Sequence, residues 1–169
     1  VSLGGEHTDL FIGGQWRAAS AAGRIDVVNP ATEEVWASVP DADAADVDAA
    51  VRAARAALPD WRGIGAAARA EVVLRFADEL AARGEGMARV ITAENGTPIA
   101  ETSAAASHSA GILRYFATLA DLVDAVDVRP FPNAPGSYTE VSREAVGVCA
   151  LISPWNFQLG IVMVKLAPA

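Results

Sequence analysis

The chain is short of the residues on which several classes of protein depend. A single cysteine among 169 residues excludes an internal disulfide and is typical of a reducing compartment. The 13 lysine and arginine residues are outnumbered by 21 acidic ones, so the basic surface that nucleic-acid binding requires is missing. The apolar runs, such as residues 146–152 and 159–164, are too short to cross a bilayer. These absences predict that neither nucleic acid nor a membrane is a partner.

Two further absences concern targeting and metal binding. The first ten residues lack the basic segment and apolar run of a signal peptide, which predicts a cytoplasmic location. His7 and His108 have no acidic or cysteine neighbours at the spacing of metal ligands, so no metal site is expected. What the chain does have is 52% hydrophobic residues, and this composition is typical of a globular protein.

Residues 10–39 have the pattern of paired strands. Gly13 and Gly14 separate two short apolar segments, and glycine tolerates the positive φ angles of a two-residue hairpin turn. Asn29 and Pro30 mark a second turn between two runs rich in β-branched residues. We expect two β-hairpins here.

The following segment has apolar residues at helical spacing. Asp43 stands where the N-cap of a first helix would be, and Gly84 and Gly96 mark the ends of a second and a third. Thr97 and Pro98 predict an N-cap and a first-turn proline for one long fourth helix. The predicted inward positions of the four helices are Val47, Ala50, Val51, Ala54, Leu58, Val73, Phe76, Ala77, Leu80, Met87, Val90, Ile91, Ile112, Tyr115, Phe116, Leu119 and Val123.

Strand-like patterns return after residue 126. Residues 127–136 contain three prolines and indicate a connector, and residues 137–145 indicate an exposed strand. The uncharged run VGVCALI, residues 146–152, predicts a strand buried on both faces of a parallel sheet. A turn, SPWNFQ, and an apolar helix from about Leu159 follow. One strand–turn–helix step cannot cover such a strand, so we expect additional chain to complete the sheet.

Several segments in order resemble the NAD(P)-dependent aldehyde dehydrogenase superfamily: FIGGQW, VNPATEEV, ENGTPIAE, SYTEVSREAVGV and SPWNF. The resemblance covers nearly the whole chain from about Leu10. It implies an α/β fold, the amino-terminal part of that family's fold, with β-hairpins, a helical segment, the start of a doubly wound parallel sheet and part of a β-flap. Residues 1–126 and 146–169 would form an incomplete nucleotide-binding domain, and residues 127–145 a connector and part of the oligomerisation flap. The catalytic domain would be absent from this chain.

The family's activity is the oxidation of an aldehyde to a carboxylic acid with NAD or NADP, through a cysteine thioester. Its first intermediate carries an oxyanion that preorganised hydrogen-bond donors stabilise. An asparagine amide is neutral and donates two hydrogen bonds, and the resemblance gives this role to Asn156. The local pattern alone leaves an alternative, in which Asn156 only caps the helix that follows.

The resemblance also implies which residues line the cofactor: Ile152, Ser153, Pro154 and Trp155, together with Asn156. For Trp155, packing in the core is the alternative. No G-x-G-x-x-G motif follows the strand, so the standard dinucleotide fingerprint is missing. The family takes its pyrophosphate contacts from a later β-α unit that this chain does not contain.

Lys165 interrupts the apolar helix, where an unpaired buried ammonium group would be costly. It either extends to the surface or, as the resemblance implies, acts in the active-site region near the catalytic glutamate and a proton path. Cys149 lies within the apolar run 146–152, so we expect a small core residue and not the nucleophile. Gln158 stands where the family usually has a proline, and it either loosens the turn or makes another polar contact.

The resemblance implies a homodimer or homotetramer, because SYTEVSREA would reach a partner subunit. Taken alone, the same segment is an edge strand protected by the charges of Glu140, Arg143 and Glu144. Two hypotheses follow for the chain as a whole. It is the amino-terminal part of an aldehyde dehydrogenase that acts on an aldehyde substrate, or it is a catalytically inactive truncated homologue that serves as an interaction or structural module.

Overall fold

The computed structural model describes residues 9–123 and 125–169, and it mixes helix and strand. The elements in chain order are β1 (Leu10–Ile12), β2 (Gln15–Arg17), β3 (Arg24–Asn29), β4 (Glu34–Pro40), α1 (Ala44–Gly63), α2 (Gly65–Ala82), α3 (Gly84–Asn95), α4 (Ile99–Thr102), α5 (Ala105–Ala117), α6 (Ala120–Val123), β5 (Asp127–Pro130), β6 (Tyr138–Val141), a 3-10 turn (Trp155–Phe157) and α7 (Gln158–Leu166).

Both predicted amino-terminal hairpins are confirmed. β1 pairs with β2 around Gly13 and Gly14, whose φ angles of 64° and 79° are those that glycine adopts without strain. β3 pairs with β4, and the Asn29 side chain accepts a hydrogen bond of 2.9 Å from the Ala31 amide in the turn between them. Short-range turn chemistry therefore decides this part of the fold.

The start of α1 is fixed by two carboxylates, of which the sequence identified one. Asp43 is the N-cap, and its Oδ1 accepts hydrogen bonds from the amides of Ala45 and Asp46 at 2.8 and 3.1 Å. Asp46, only 1% exposed, completes a capping box and also accepts hydrogen bonds from the Ser20 amide and hydroxyl. The Asp46 side chain thus connects the segment after β2 to the first turn of α1.

The pKa of Asp46 predicts how acid affects this connection. The hydrogen bond from the Ser20 amide lowers the pKa of the Asp46 carboxyl below its ordinary value of 3.8, although burial opposes the shift. A lowered folded-state pKa gives stability that is complete above the unfolded-state pKa and is lost as the pH falls through the folded-state value. We expect Asp46→Asn to lower the Tm at neutral pH, and to reduce the further loss of Tm on acidification to about pH 3.

Asp48→Asn is the matched control, because it removes an acidic group on the same helix that is 77% exposed. In thermal melts followed by circular dichroism, Asp48→Asn should change neither the Tm at neutral pH nor the loss of Tm on acidification. An Asp46→Asn protein with an unchanged Tm at neutral pH would contradict the connecting role of this carboxylate.

The prediction of a single long fourth helix is wrong, because this part of the chain forms three separate helices, α4, α5 and α6. Pro98, and not Thr97, is the N-cap of α4, and no side chain caps that helix. At the breaks, hydroxyl side chains compete with the helical pattern: Ser103 Oγ donates to the Ala100 carbonyl at 3.0 Å and Thr118 Oγ1 to the Tyr115 carbonyl at 2.7 Å.

The core lies where α2, α5 and α7 pack together. Its buried members are Ala77, Leu80, Ala106, Ala110, Leu113 and Met163. Alanines let the helices approach closely, and Met163 brings α7 into the same cluster. Of the predicted inward positions, Ala77, Leu80 and Ile91 are buried. The prediction is wrong for six other positions, which no described element covers and which are exposed: Val47, Ala50, Ala54, Phe76, Tyr115 and Val123.

The buried parallel strand predicted at 146–152 is also wrong. The described residues form three two-stranded antiparallel sheets, and none of these strands pairs with this segment. A strand needs a neighbour for its backbone groups, so the segment forms no strand here and Val146 is 96% exposed. Cys149 is exposed too, which corrects its prediction as a core residue. The start of a doubly wound sheet is therefore not formed by these residues.

The predicted connector contains a strand that the sequence did not reveal. β5 pairs with β6 in antiparallel register, from Asp127 opposite Val141 to Pro130 opposite Tyr138. Proline is tolerated there because it lies at the end of a two-stranded pair. Residues 127–141 thus form a third hairpin, and the exposed strand predicted at 137–145 corresponds to the shorter β6. No helix in the described part of the chain is both long and apolar enough to span a bilayer.

Candidate active site

The SPWNFQ turn has a defined geometry. Extended backbone at Pro154 leads into the 3-10 turn Trp155–Phe157, and α7 begins at Gln158. The ring of Phe157 folds over Gly160, where an added Cβ would lie 2.9 Å from Phe157 Cδ1. The N-cap of α7 is Phe157, and no side chain caps the helix. The alternative in which Asn156 serves as the helix cap is therefore wrong.

Asn156 lines a cavity of about 380 Å³ that lies between this turn and the helical segment. Apolar walls come from residues such as Ile91, Phe157 and Leu159, and polar groups come from the amides and hydroxyls among the lining residues. One of these, the Ser109 hydroxyl, belongs to a buried residue and has no hydrogen-bond partner among the residues that the structure describes. The cavity thus offers an apolar space with a few polar groups, as small-molecule sites do, and one of these groups lies on a buried serine without a partner.

Two of the predicted site residues are in direct contact. Lys165 is exposed, and its Nζ donates a hydrogen bond to the carbonyl of Ile152. The ammonium group is therefore neither buried nor unpaired, and it ties α7 to the segment before the turn. Ile152 and Trp155 are each 79% exposed, so the alternative that places Trp155 in the core is wrong. Their apolar surfaces are open to a ligand.

Gln158 makes polar contacts with the end of α3. Its Oε1 accepts a hydrogen bond from Asn95 Nδ2 at 3.3 Å, and the Asn95 Oδ1 accepts one of 2.9 Å from the Thr97 amide. Partial burial raises the pKa of the neighbouring Glu94 carboxyl, and a hydrogen bond from the Gln158 side chain partly offsets this rise. The sequence left two alternatives for Gln158, a loosened turn or another polar contact, and the structure shows the polar contact.

Gly96 explains why the end of α3 has a fixed position. Its φ of 79° is left-handed, and a Cβ there would lie 2.9 Å from Pro30 Cγ in the turn between β3 and β4. The sequence identified Gly96 as a helix end but gave no signal that Asn95, next to it, would reach the SPWNFQ turn. That contact joins residues 63 positions apart, which no local pattern reveals.

We found no cluster of metal-binding side chains in the part of the chain that the structure describes. Residues 9–123 and 125–169 contain no group of three or more His, Cys, Asp or Glu side chains close enough to hold an ion. His7 lies outside these ranges. A mixed helix-and-strand fold with an apolar cavity beside a neutral amide donor and an exposed tryptophan is typical of α/β enzymes with organic cofactors.

The comparison with protein families agrees with the class of enzymes that use organic cofactors. A model described as the aldehyde dehydrogenase family matches residues 16–169, and the chain belongs to that family. The family uses NAD or NADP, which confirms the predicted cofactor class at the level of the family. The predicted fold class, an amino-terminal part of the aldehyde dehydrogenase fold, is confirmed as well.

Individual relatives show how much of the family's length is present. The geranial dehydrogenase of Castellaniella defragrans is 39% identical over 167 residues, which are 97% of this chain and 34% of that protein. Betaine aldehyde dehydrogenase from Staphylococcus aureus, solved with NAD⁺, superposes with a TM-score of 0.87 at 30% identity, over 96% of this chain and 32% of that one. An NADP-dependent enzyme from E. coli gives a TM-score of 0.86 at 31% identity, over 92% and 32%. The chain thus spans about a third of the length of these relatives.

Proposed function

We propose that this chain supplies the oxyanion donor and the first cofactor-binding segment of an NAD(P)-dependent aldehyde dehydrogenase. The observation that carries this proposal is the position of Asn156, which lines the cavity and does not cap α7. An amide in that position can donate to a carbonyl oxygen of a molecule in the cavity. The predominantly apolar walls suit the hydrocarbon part of an aldehyde.

In this mechanism, the aldehyde lies in the cavity with its oxygen toward Asn156 Nδ2. A cysteine thiolate from the rest of the enzyme adds to the carbonyl carbon, and the C=O π electrons become the oxyanion that the amide stabilises. The apolar walls of the cavity hold the hydrocarbon part of the substrate in place. After hydride loss gives a thioester, water releases the carboxylic acid and returns the thiol.

The cofactor segment fits a nicotinamide dinucleotide. The apolar side chains of Ile152 and Trp155, on either side of the extended backbone at Pro154, lie at the surface, where they can cover an aromatic ring of a ligand. Bound NAD or NADP supplies the hydride acceptor. Ser153 and Pro154 complete this surface, and Lys165 holds it in place through the Ile152 carbonyl. We further propose that the exposed ammonium of Lys165 lies near the catalytic glutamate in the assembled enzyme.

The proposal extends to partners and location. The hairpin of β5 and β6 has exposed edges and would act as part of the flap that joins subunits in a homodimer or homotetramer. The nucleotide-binding assignment of residues 1–126 and 146–169 and the cytoplasmic location are parts of the same proposal. The inactive-module hypothesis is less favoured, because it leaves Val146 and its neighbours exposed with unpaired backbone groups.

The test begins with the intact mass of the purified natural protein. We expect a mass near three times the 17.5 kDa of this chain, in keeping with its 34% coverage of a relative. That protein should reduce NAD⁺ or NADP⁺ when, and only when, an aldehyde is added. A protein of this larger mass that folds but oxidises none of a panel of aliphatic, aromatic and amino-aldehydes would overturn the proposed function. A folded, cooperative protein of 17.5 kDa would favour the inactive module.

A further inference from the structure

The Gln158 side chain contacts the end of α3, where its Oε1 accepts a hydrogen bond from Asn95 Nδ2 at 3.3 Å. Asn95 is the last residue of α3, and its own Oδ1 accepts a hydrogen bond from the Thr97 amide. The first residue of α7 is therefore joined by a side-chain hydrogen bond to a helix distant in the sequence.

The backbone around Gln158 would equally accept a proline. Its φ of −57° lies in the range that a proline ring fixes, and the preceding Phe157, with φ −150° and ψ 49°, lies outside the helical region that a following proline disfavours. As the first residue of α7, Gln158 has an amide outside the hydrogen-bond ladder of that helix, so a proline there would remove only the bond by which the Gln158 amide closes the preceding 3-10 turn. A glutamine leaves φ unrestrained, and the turn must then be held by other means.

We propose that Gln158 is a positioning residue for Asn156, holding the turn against α3 through Asn95 in place of the restraint that a proline ring gives. The inference rests on the proposed role of Asn156. Only Phe157 lies between the two residues along the chain, so movement at Gln158 moves the proposed oxyanion donor. The anchor is firm because Gly96 packs the end of α3 against Pro30.

The kinetic test uses the full-length enzyme and five variants. Gln158→Met keeps the length of the side chain but removes its hydrogen bond to Asn95, and it should lower kcat by about tenfold, less than the roughly hundredfold that a 1 Å misplacement can cost. The KM for the cofactor should not change. Asn95→Ala should have a similar effect, and the double variant should lose no more than either single one, because both remove the same contact.

Gln158→Pro is the rescue variant, because its ring restrains φ without the hydrogen bond to Asn95. It should keep kcat within about twofold of the unmodified enzyme. Gln15→Met, on the exposed strand β2, is the matched control and should change nothing. Equal losses of kcat in Gln158→Met and Gln158→Pro, or an unchanged kcat in Gln158→Met, would overturn the positioning role.

Amide hydrogen exchange separates this inference from the proposed function. Gln158→Met should raise the exchange rate of the amides at Asn156 and Phe157 by about tenfold, and Gln158→Pro should not, whether or not the protein oxidises aldehydes. Unchanged exchange in Gln158→Met would overturn the inference even in an active enzyme. An inactive unmodified protein that shows the expected exchange would overturn the proposed function alone.

Discussion

Replacing Asn156 by alanine should lower kcat for aldehyde oxidation by about 10²–10³-fold in the full-length enzyme, as the loss of one oxyanion donor does elsewhere. In the proposed mechanism, the amide donates to an oxygen whose negative charge develops only as the thiolate adds, so its loss would raise the barrier more than it weakens substrate binding. We therefore expect a small change in KM for the aldehyde, and kcat/KM should fall nearly as much as kcat. Steady-state kinetics over a range of aldehyde concentrations measures both quantities.

The control for this variant is Asn133→Ala, which removes an exposed amide in the turn between β5 and β6. It should leave kcat unchanged. Because Asn156 does not cap α7, Asn156→Ala should also keep the Tm of the unmodified protein. Full turnover in Asn156→Ala would remove this residue from the mechanism, and a large loss of Tm would assign it a structural role instead.

Leu113→Ala should lower the free energy of unfolding by about 3 kcal/mol, within the range that buried leucines show. Leu113 is 1% exposed and belongs to the cluster in which α5 meets α2 and α7. Its removal leaves a cavity between helices that are themselves packed through alanines, so the neighbouring backbones cannot close the space easily. Urea denaturation followed by tryptophan fluorescence measures the change.

Leu122→Ala is the matched control, because it makes the same chemical change on α6 at a side chain that is 61% exposed. It should cost well under about 1 kcal/mol. Similar losses in the two variants would show that the three-helix cluster is not the main source of stability. The comparison also bears on the site, since Met163 of α7 packs in the same cluster.

Local patterns predicted those elements whose causes are local. The Gly13–Gly14 hairpin and the Asp43 cap depend on backbone conformation and hydrogen bonds within a few residues, and both are confirmed. The continuous fourth helix failed because hydroxyl groups at Ser103 and Thr118 bond to nearby carbonyls, an outcome that apolar spacing does not encode. The strand at 146–152 failed because an apolar run indicates burial only where neighbours exist to bury it.

The same distinction applies to the candidate site. Asn156 and Lys165 were identified through resemblance, and the structure places one at the cavity and the other in contact with Ile152. The contribution of Asn95 could not be predicted, because its contact with Gln158 exists only after α3 and α7 have packed on the same side of the fold. Ser109 was missed for a similar reason: a serine on a helix gives no sign that its hydroxyl will be buried without a partner.

The exposed, unpaired state of residues 146–152 has a consequence for the order in which such a fold is assembled. The hairpins and the α2–α5–α7 cluster are made from contacts already present in the described residues, so they can form early. The segment 146–152 lies directly before the turn that bears Asn156, yet it belongs to none of the described sheets. We therefore expect the turn to be anchored first, on α7, and the neighbouring segment to find its strand partners later.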